Sequence, residues 1–230
     1  MTLYGTISSG RGLTASIQAM ALEMAIVGVN HENIMGFDKV GYQRKEPVVS
    51  SFAEILGVDA LSTTTDDTQG RLVATRLPLD LALSEKGYFQ VQSDEGVKLT
   101  RDGRFKLDKD GYLLSQLNEK VLSNNGTPVQ LPRVPNDLNQ ISIDKQGAVY
   151  LFNPQTLSKE YVTNIGVVSD DSTVVVNPGV HQGFNEYSNV QLGSEFMRIM
   201  PVRRNYDANR RMFIIQSSAL TRLVERMMSA

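Results

Sequence analysis

The sequence contains no cysteine and no tryptophan. Without thiols, disulfides, thiol nucleophiles and cysteine-ligated zinc are excluded together. This fits a reducing compartment, or a chain that needs no covalent staple outside the cell. Histidine is scarce: His31 and His181 stand far apart and form no paired-ligand motif. No run of about eighteen uncharged apolar residues occurs, so no membrane span is expected. The first residues, MTLYGTISSGRGLTAS, show no basic region followed by an apolar run, so no secretory signal is expected. A formal net charge of −2 gives no global field toward nucleic acid or anionic lipid.

Catalytic motifs are also missing. There is no serine-centred glycine elbow. Gly10-Arg11-Gly12 follows no strand and lacks a phosphate-loop lysine. Asp108-Lys109-Asp110-Gly111 resembles part of a calcium loop, but alignment on Gly111 puts Lys106 and Leu117 where acidic ligands belong. Asp102, Asp108 and Asp110 read better as turn residues than as an acid–base pair. No catalytic, cofactor or metal site is expected, and no small-molecule substrate.

The chain has 230 residues, 41% of them hydrophobic, enough to bury a core. The methionines divide it. None of the nine lies between residues 36 and 196. Methionine suits helix packing and adaptable contacts, so the two ends belong together and the middle is a separate unit. Near the N-terminus, Leu13, Ile17, Met20, Met24 and Val27 recur at spacings of four and three, a coiled-coil-like seam that His31 and Ile34 extend. A start at Ser8, Ser9 or Gly10 is expected, with Gly28 weakening the end. Near the C-terminus, Tyr206, Phe213, Leu220 and Met227 recur every seven residues. Pro201 is expected to begin, kink or break that helix. Arginines 198, 203, 204, 210, 211, 222 and 226 crowd the segment, opposed only by Glu195, Asp207 and Glu225. They read as a solvated face, as carboxylate-binding forks toward neighbouring subunits, or as a phosphate site.

The middle reads as short β-strands. Val97 and Leu99 alternate with polar residues before Asp102-Gly103, and Phe105 and Leu107 before Asp110-Gly111. Each Asp-Gly favours a tight hairpin turn. Asn125-Gly126, Gln146-Gly147 and Pro128, Pro132 and Pro135 continue the punctuation. Further strands are expected at 141–143, 148–152, 164–168 and 173–176. The expected fold class is α+β, with a discontinuous terminal helix pair and a central all-β domain. The expected division is 1–36 with 186–230 as a helical assembly domain, 37–77 as an extended linking arm with a short helix near Ser51–Leu56, and 78–185 as a β-rich outer domain.

Four stretches carry a family resemblance. Asn33 to Tyr42, including Gly41, resembles "ANNLANxxTxGF/Y". Pro78-Leu79-Asp80-Leu81-Ala82-Leu83 followed by Gly87-Tyr88-Phe89-Gln90-Val91 resembles "PLDLAIxGxGFFxV". Thr100-Arg101-Asp102-Gly103 with Phe105, Leu107, Asp108, Asp110 and Gly111 resembles "YTRDGxFxLDxDGxLV". Gln182-Gly183-Phe184, Glu186, Ser188-Asn189-Val190 and Arg204–Asn209 resemble "QGxLExSNV…QRAYEAN". Together they resemble the bacterial flagellar rod and hook family. The short segment between Tyr42 and Pro78 resembles the proximal-rod type more than the distal-rod or hook type.

That resemblance implies a non-enzymatic, self-assembling subunit of the axial rod in the basal body. Its implied partners are other copies of itself, other rod proteins and the flagellar type III export apparatus. It implies a periplasmic location reached without a cleaved signal, and the two seams (Leu13 to Val27 and Tyr206 to Met227) as the assembly interface. The competing reading from composition is a β-rich surface binding module on a coiled-coil stem.

Overall fold

A computed structural model describes residues 3–50, 59 and 61–229, with side chains from residue 12 onward. The class is α+β: among the described residues there is one long helix near each end, with fifteen short strands between them. Residues up to Met35, Arg44–Asp66 and from Val190 onward form one compact unit, the helical unit. Gly36–Gln43 and Asp67–Asn189 form the other, the β unit.

In the helical unit, α1 spans Leu3–Gly36 and α2 spans Leu192–Met228. α1 is already helical at Leu3, so Ser8, Ser9 and Gly10 do not start it, and it runs through Gly28 without a break. One interior glycine costs only about 1 kcal/mol in a helix this long. Pro201 likewise lies inside α2 rather than at its start or at a break. It is exposed. By length and hydropathy alone, residues 12–36 could cross a membrane, which the missing uncharged run did not suggest. Glu23 interrupts that stretch, and its carboxylate accepts a hydrogen bond from Asn209 of α2.

Two strands are also described in this unit. β1 (Lys45–Val49) and β2 (Leu61–Thr65) pair antiparallel, with Lys45 opposite Thr65 and Val49 opposite Leu61. Both lie within the segment read as an extended linking arm. The short helix expected near 51–56 falls outside the described residues.

The β unit holds β3 (Leu72–Ala74), β4 (Leu81–Leu83), β5 (Tyr88–Ser93), β6 (Gly96–Thr100), β7 (Lys106–Leu107), β8 (Leu113–Leu114) and β9 (Lys120–Val121). It continues with β10 (Ile141–Ile143), β11 (Ala148–Asn153), β12 (Ser158–Asn164), β13 (Val167–Val168), β14 (Val180–Gln182) and β15 (Phe184–Glu186). All pairings are antiparallel. The largest sheet runs β13-β5-β9-β8-β7 with β6 added on β5; β10-β11-β12 forms a second, and β14-β4 and β15-β3 pair separately. Leu81, Leu83, Phe89, Val91, Val121, Leu151, Ile165 and Val167 centre one apolar core. Phe89 meets Phe105 edge to face at 5.2 Å.

A single turn type recurs through this unit. At Asp108–Tyr112 the first residue's N–H donates to the fifth residue's carbonyl (3.0 Å), and the Asp108 carboxylate accepts from the N–H groups of Asp110 and Tyr112. Gly111 takes a left-handed φ of 83°. The same backbone pattern appears at 115–119, 123–127, 144–148 and 169–173. In each, aspartate or serine leads and Gly, Asn or Ser takes the left-handed fourth place. Asp110-Gly111 is therefore the end of a three-residue loop with a glycine bulge, not a two-residue hairpin turn.

Asp102-Gly103 makes no hairpin at all. β6 pairs back with β5, and Asp102 caps the N–H of Arg104 at 3.1 Å. Val97 and Leu99, on a strand paired on one side only, stay exposed. Residues 173–176 make only an isolated bridge, Val168 with Val174. The run expected at 164–168 is split between the end of β12 and β13.

Candidate assembly interface

α1 and α2 lie side by side and antiparallel. Glu23 meets Asn209 at 3.1 Å, and Asn33 meets Glu195 at 3.3 Å. Near the other end Gly12 faces Gln216 so closely that a Cβ would sit 2.7 Å from its amide nitrogen. The face α1 turns inward is small and polar: Gly12, Ser16, Ala19, Glu23, Asn30 and Asn33. Ser16, Glu23, Asn30 and Asn33 are buried. At Gly12 the absence of a Cβ leaves room for the Gln216 side chain.

The apolar seam of α1 lies one residue, about 100°, further round the helix. Leu13, Met20 and Val27 are half-buried, while Ile17 and Met24 are exposed. On α2, Tyr206, Phe213 and Leu220 are half-buried in the row that faces α1, with Asn209 and Gln216 between them. Met227 is 72% exposed. Met24, Val27 and Tyr206 do come together, walling a groove along the pair. Phe196, Met197, Met200, Ile214, Ile215 and Val224 are exposed on α2 as well.

At one end the pair is fastened by a buried polar cluster. Glu195, in the first turn of α2, is 0% exposed. It accepts from Arg44 Nε at 2.7 Å and from Asn33 Nδ2. Asn33 also exchanges two 2.8 Å hydrogen bonds with the backbone of Lys45. α1, β1 and α2 are thereby tied at one point. Burial works to lower the Arg44 pKa, but the hydrogen bond and charge of Glu195, with Glu46 and Asp66 nearby, outweigh it and hold it above the ordinary value. Glu23 behaves differently. Burial raises its pKa, and the Asn209 hydrogen bond offsets this only in part.

The family-motif residues of the β unit gather at a second node. Arg101, 3% exposed, forks onto Glu186 at 2.9 and 3.2 Å and donates to the carbonyls of Glu85 and Gly87. Gly70 N–H reaches the same carboxylate at 3.0 Å, and Gly41 N–H donates to the Glu186 carbonyl. Gly41 lies against the backbone of Asp102 and Gly103 against the carbonyl of Leu81, where no Cβ fits. Tyr42 packs on Gly36. Asp80, flanked by Leu79, accepts from Asn185, and the Pro78 carbonyl accepts from Gln182. Thr100 caps the N–H of Asp102. Ser188 N–H donates to Lys39, and Asn189 holds Thr68. Asp110 is an exposed turn residue beside Gly111, and Val190 is buried in the helical unit.

Glu23, Arg44, Glu186 and Glu195 are the functional-looking residues that sequence reasoning did not single out as sites. Glu186 stood within a motif. The others carry no local signal, because their partners lie more than 100 residues away. Among the described residues no His, Asp and Glu cluster has metal-site geometry.

The helix pair leaves an apolar flank exposed, while the β unit closes its own core. Residues 82–151, inside the β unit, match the family described as flagellar hook protein FlgE/F/G D1 domain. The flagellar basal-body rod protein FlgF of Caulobacter vibrioides is 30% identical over 171 residues, covering 70% of each chain. FlgF of Rhizobium meliloti is 29% identical over 223 residues, covering 89% of this chain and 88% of its own. FlgG of Buchnera aphidicola (subspecies Acyrthosiphon pisum) is 28% identical over 196 residues, covering 73% and 72%. The chain belongs to the family of flagellar basal-body rod proteins.

Proposed function

We propose that this chain is a structural subunit of the flagellar basal-body rod, working through its interfaces and not through a reaction. The observation that carries this reading is the contrast within the helical unit. Its helices bury small and polar residues against each other and leave Ile17, Met24, Ile215 and Met227 exposed. Burying such surface against neighbours is worth about 25 cal/mol per Å². Stacked along an axis, the pairs form a stiff shaft that carries torque from motor to hook.

In this reading 1–36 with 186–230 carry assembly, 78–185 form the outer shell, and 37–77 link them. Leu13, Ile17, Met20, Met24, Val27, Tyr206, Phe213, Leu220 and Met227 supply contacts within and between subunits. The partners are other copies and other rod proteins, delivered by the flagellar export apparatus to the periplasm without a cleaved signal. The short link from Tyr42 to Pro78 favours a proximal position over a distal one.

The test is cryo-electron microscopy of basal bodies carrying a tagged copy of this chain, beside a deletion strain. Density in the rod next to the inner ring, and rods missing in the deletion, are expected. A tag spread over the cell surface with intact rods would overturn the reading in favour of a surface binding module.

A further inference from the structure

Beside the Glu23–Asn209 contact the helix pair opens into a groove of about 440 Å³. Its walls are Met24 and Val27 from α1 and Ile199, Val202 and Tyr206 from α2, with Glu23 among its lining. Glu23 is nine-tenths buried. One carboxylate oxygen accepts from Asn209, while the other is buried and has no hydrogen-bond partner. An ionised oxygen left unpaired among apolar side chains is expensive unless a donor arrives.

Suitable donors stand exposed on α2. Arg203, Arg204, Arg210, Arg211, Arg222 and Arg226 make no ion pair among the described residues, and α2 contains no lysine. Arg203 and Asp207 lie on the groove rim, one turn apart, yet Arg203 forms no ion pair with Glu23. A guanidinium matches such a site in two ways. Its aliphatic stem can lie on the methionine and valine walls, and its planar head can donate to the free oxygen.

We propose that Glu23 is a lock for association between copies: an arginine from α2 of a second copy enters this groove and donates to the free carboxylate oxygen. The proposal rests on the rod-subunit reading and adds the partner segment and the group that recognises it. It also gives the arginine-rich C-terminal helix a specific role. A purely apolar groove would accept any hydrophobic helix; a buried half-paired carboxylate rejects those that bring no cation.

The experiment places the photo-reactive residue p-benzoylphenylalanine at Met24, which is exposed, in the full-length chain expressed in motile cells. Basal bodies are purified, irradiated and mapped by mass spectrometry. A cross-link from position 24 to residues 203–226, found in a product of two-chain mass and therefore made to a second copy, is expected. Its yield should fall about tenfold or more in Glu23→Gln, which keeps the acceptor for Asn209 and replaces the free oxygen with a competing donor. Circular dichroism of purified Glu23→Gln should show intact helices. Glu23→Arg should abolish the cross-link, and one Arg→Glu change in α2 should restore it. A cross-link to a different rod protein, to the β unit of another copy, or one unchanged in Glu23→Gln would overturn the proposal. If the chain is absent from basal bodies, the rod reading fails on that count, and the same cross-link between purified copies still decides the lock.

Discussion

The β unit and the helical unit solve the problem of burial in opposite ways. Phe89, Leu81, Val121 and their neighbours reach nearly complete burial inside one chain. In the helical unit only Val29 and Val190 are buried hydrophobics among the described residues, while many large apolar side chains of α2 stay in water. Each unit also buries an arginine–glutamate pair, Arg101–Glu186 and Arg44–Glu195. In the β unit that pair sits beside a closed apolar core. In the helical unit it ties the ends of elements that have little core of their own. The difference shows which unit covers its apolar side chains within the single chain and which leaves them exposed.

The comparison can be broken most directly at Arg101. Arg101→Ala leaves Glu186 buried without a countercharge, held only by the Gly70 N–H, and should cost about 3–5 kcal/mol of stability in denaturant melts. A double variant with Glu186→Leu should recover much of that loss, because no orphan charge remains. An Arg101→Ala chain that melts like the parent would refute the idea of a self-sufficient β unit pinned at this node.

Phe213 sharpens the contrast from the other side. Truncating a fully buried phenylalanine costs about 3–5 kcal/mol. Phe213 is only half-buried in the single chain, so Phe213→Ala should cost the free protein about 1–2 kcal/mol. If the remaining Phe213 surface is covered by a neighbouring subunit, as proposed, swimming and recovery of hook–basal bodies should nevertheless collapse. Full assembly by this variant would remove the seam from the interface.

A smaller effect is expected from pH. Burial raises the Glu23 pKa above 4.5, the value of a free side chain. A raised acid stabilises the folded form fully below its unfolded pKa and loses that contribution as pH rises through the folded value. The free chain with Glu23→Gln should therefore melt slightly above the parent at pH 7, with the gap closing on acidification toward pH 4. A gap that widens on acidification would show that the carboxylate is not a buried cost in the lone subunit.

The smallest effect concerns Arg211. It is exposed and makes no ion pair among the described residues. Arg211→Ala should leave melting of the free chain unchanged, and a measurable loss would show that α2 is satisfied internally after all.

Much of this was legible in the sequence. Heptad spacing announced both helices, and Asp-Gly and Asn-Gly pairs announced a β unit of short strands, because local backbone preference and side-chain period act over a few residues. The strands at 141–143 and 148–153 fall where their apolar runs lie. The facing of α1 was not legible. Its strongest apolar stripe, Leu13 to Val27, looked like the natural seam, yet the structure pairs the row of Gly12, Ser16 and Glu23 with α2. Periodicity reveals that a stripe exists, not whether its partner is in the same chain. The Asp102-Gly103 turn failed for a related reason: a glycine needed for close packing under Leu81 looks the same in sequence as one needed for a hairpin.

The sequence by itself determined the class, the helices and the family, all of which depend on residues near one another or on short motifs. Only tertiary structure decided which face of each helix is spent within the chain, and that Arg44 meets Glu195 and Glu23 meets Asn209. Those choices depend on contacts across 150 residues or more, where the cost of burying a charge is settled by whatever the fold brings beside it.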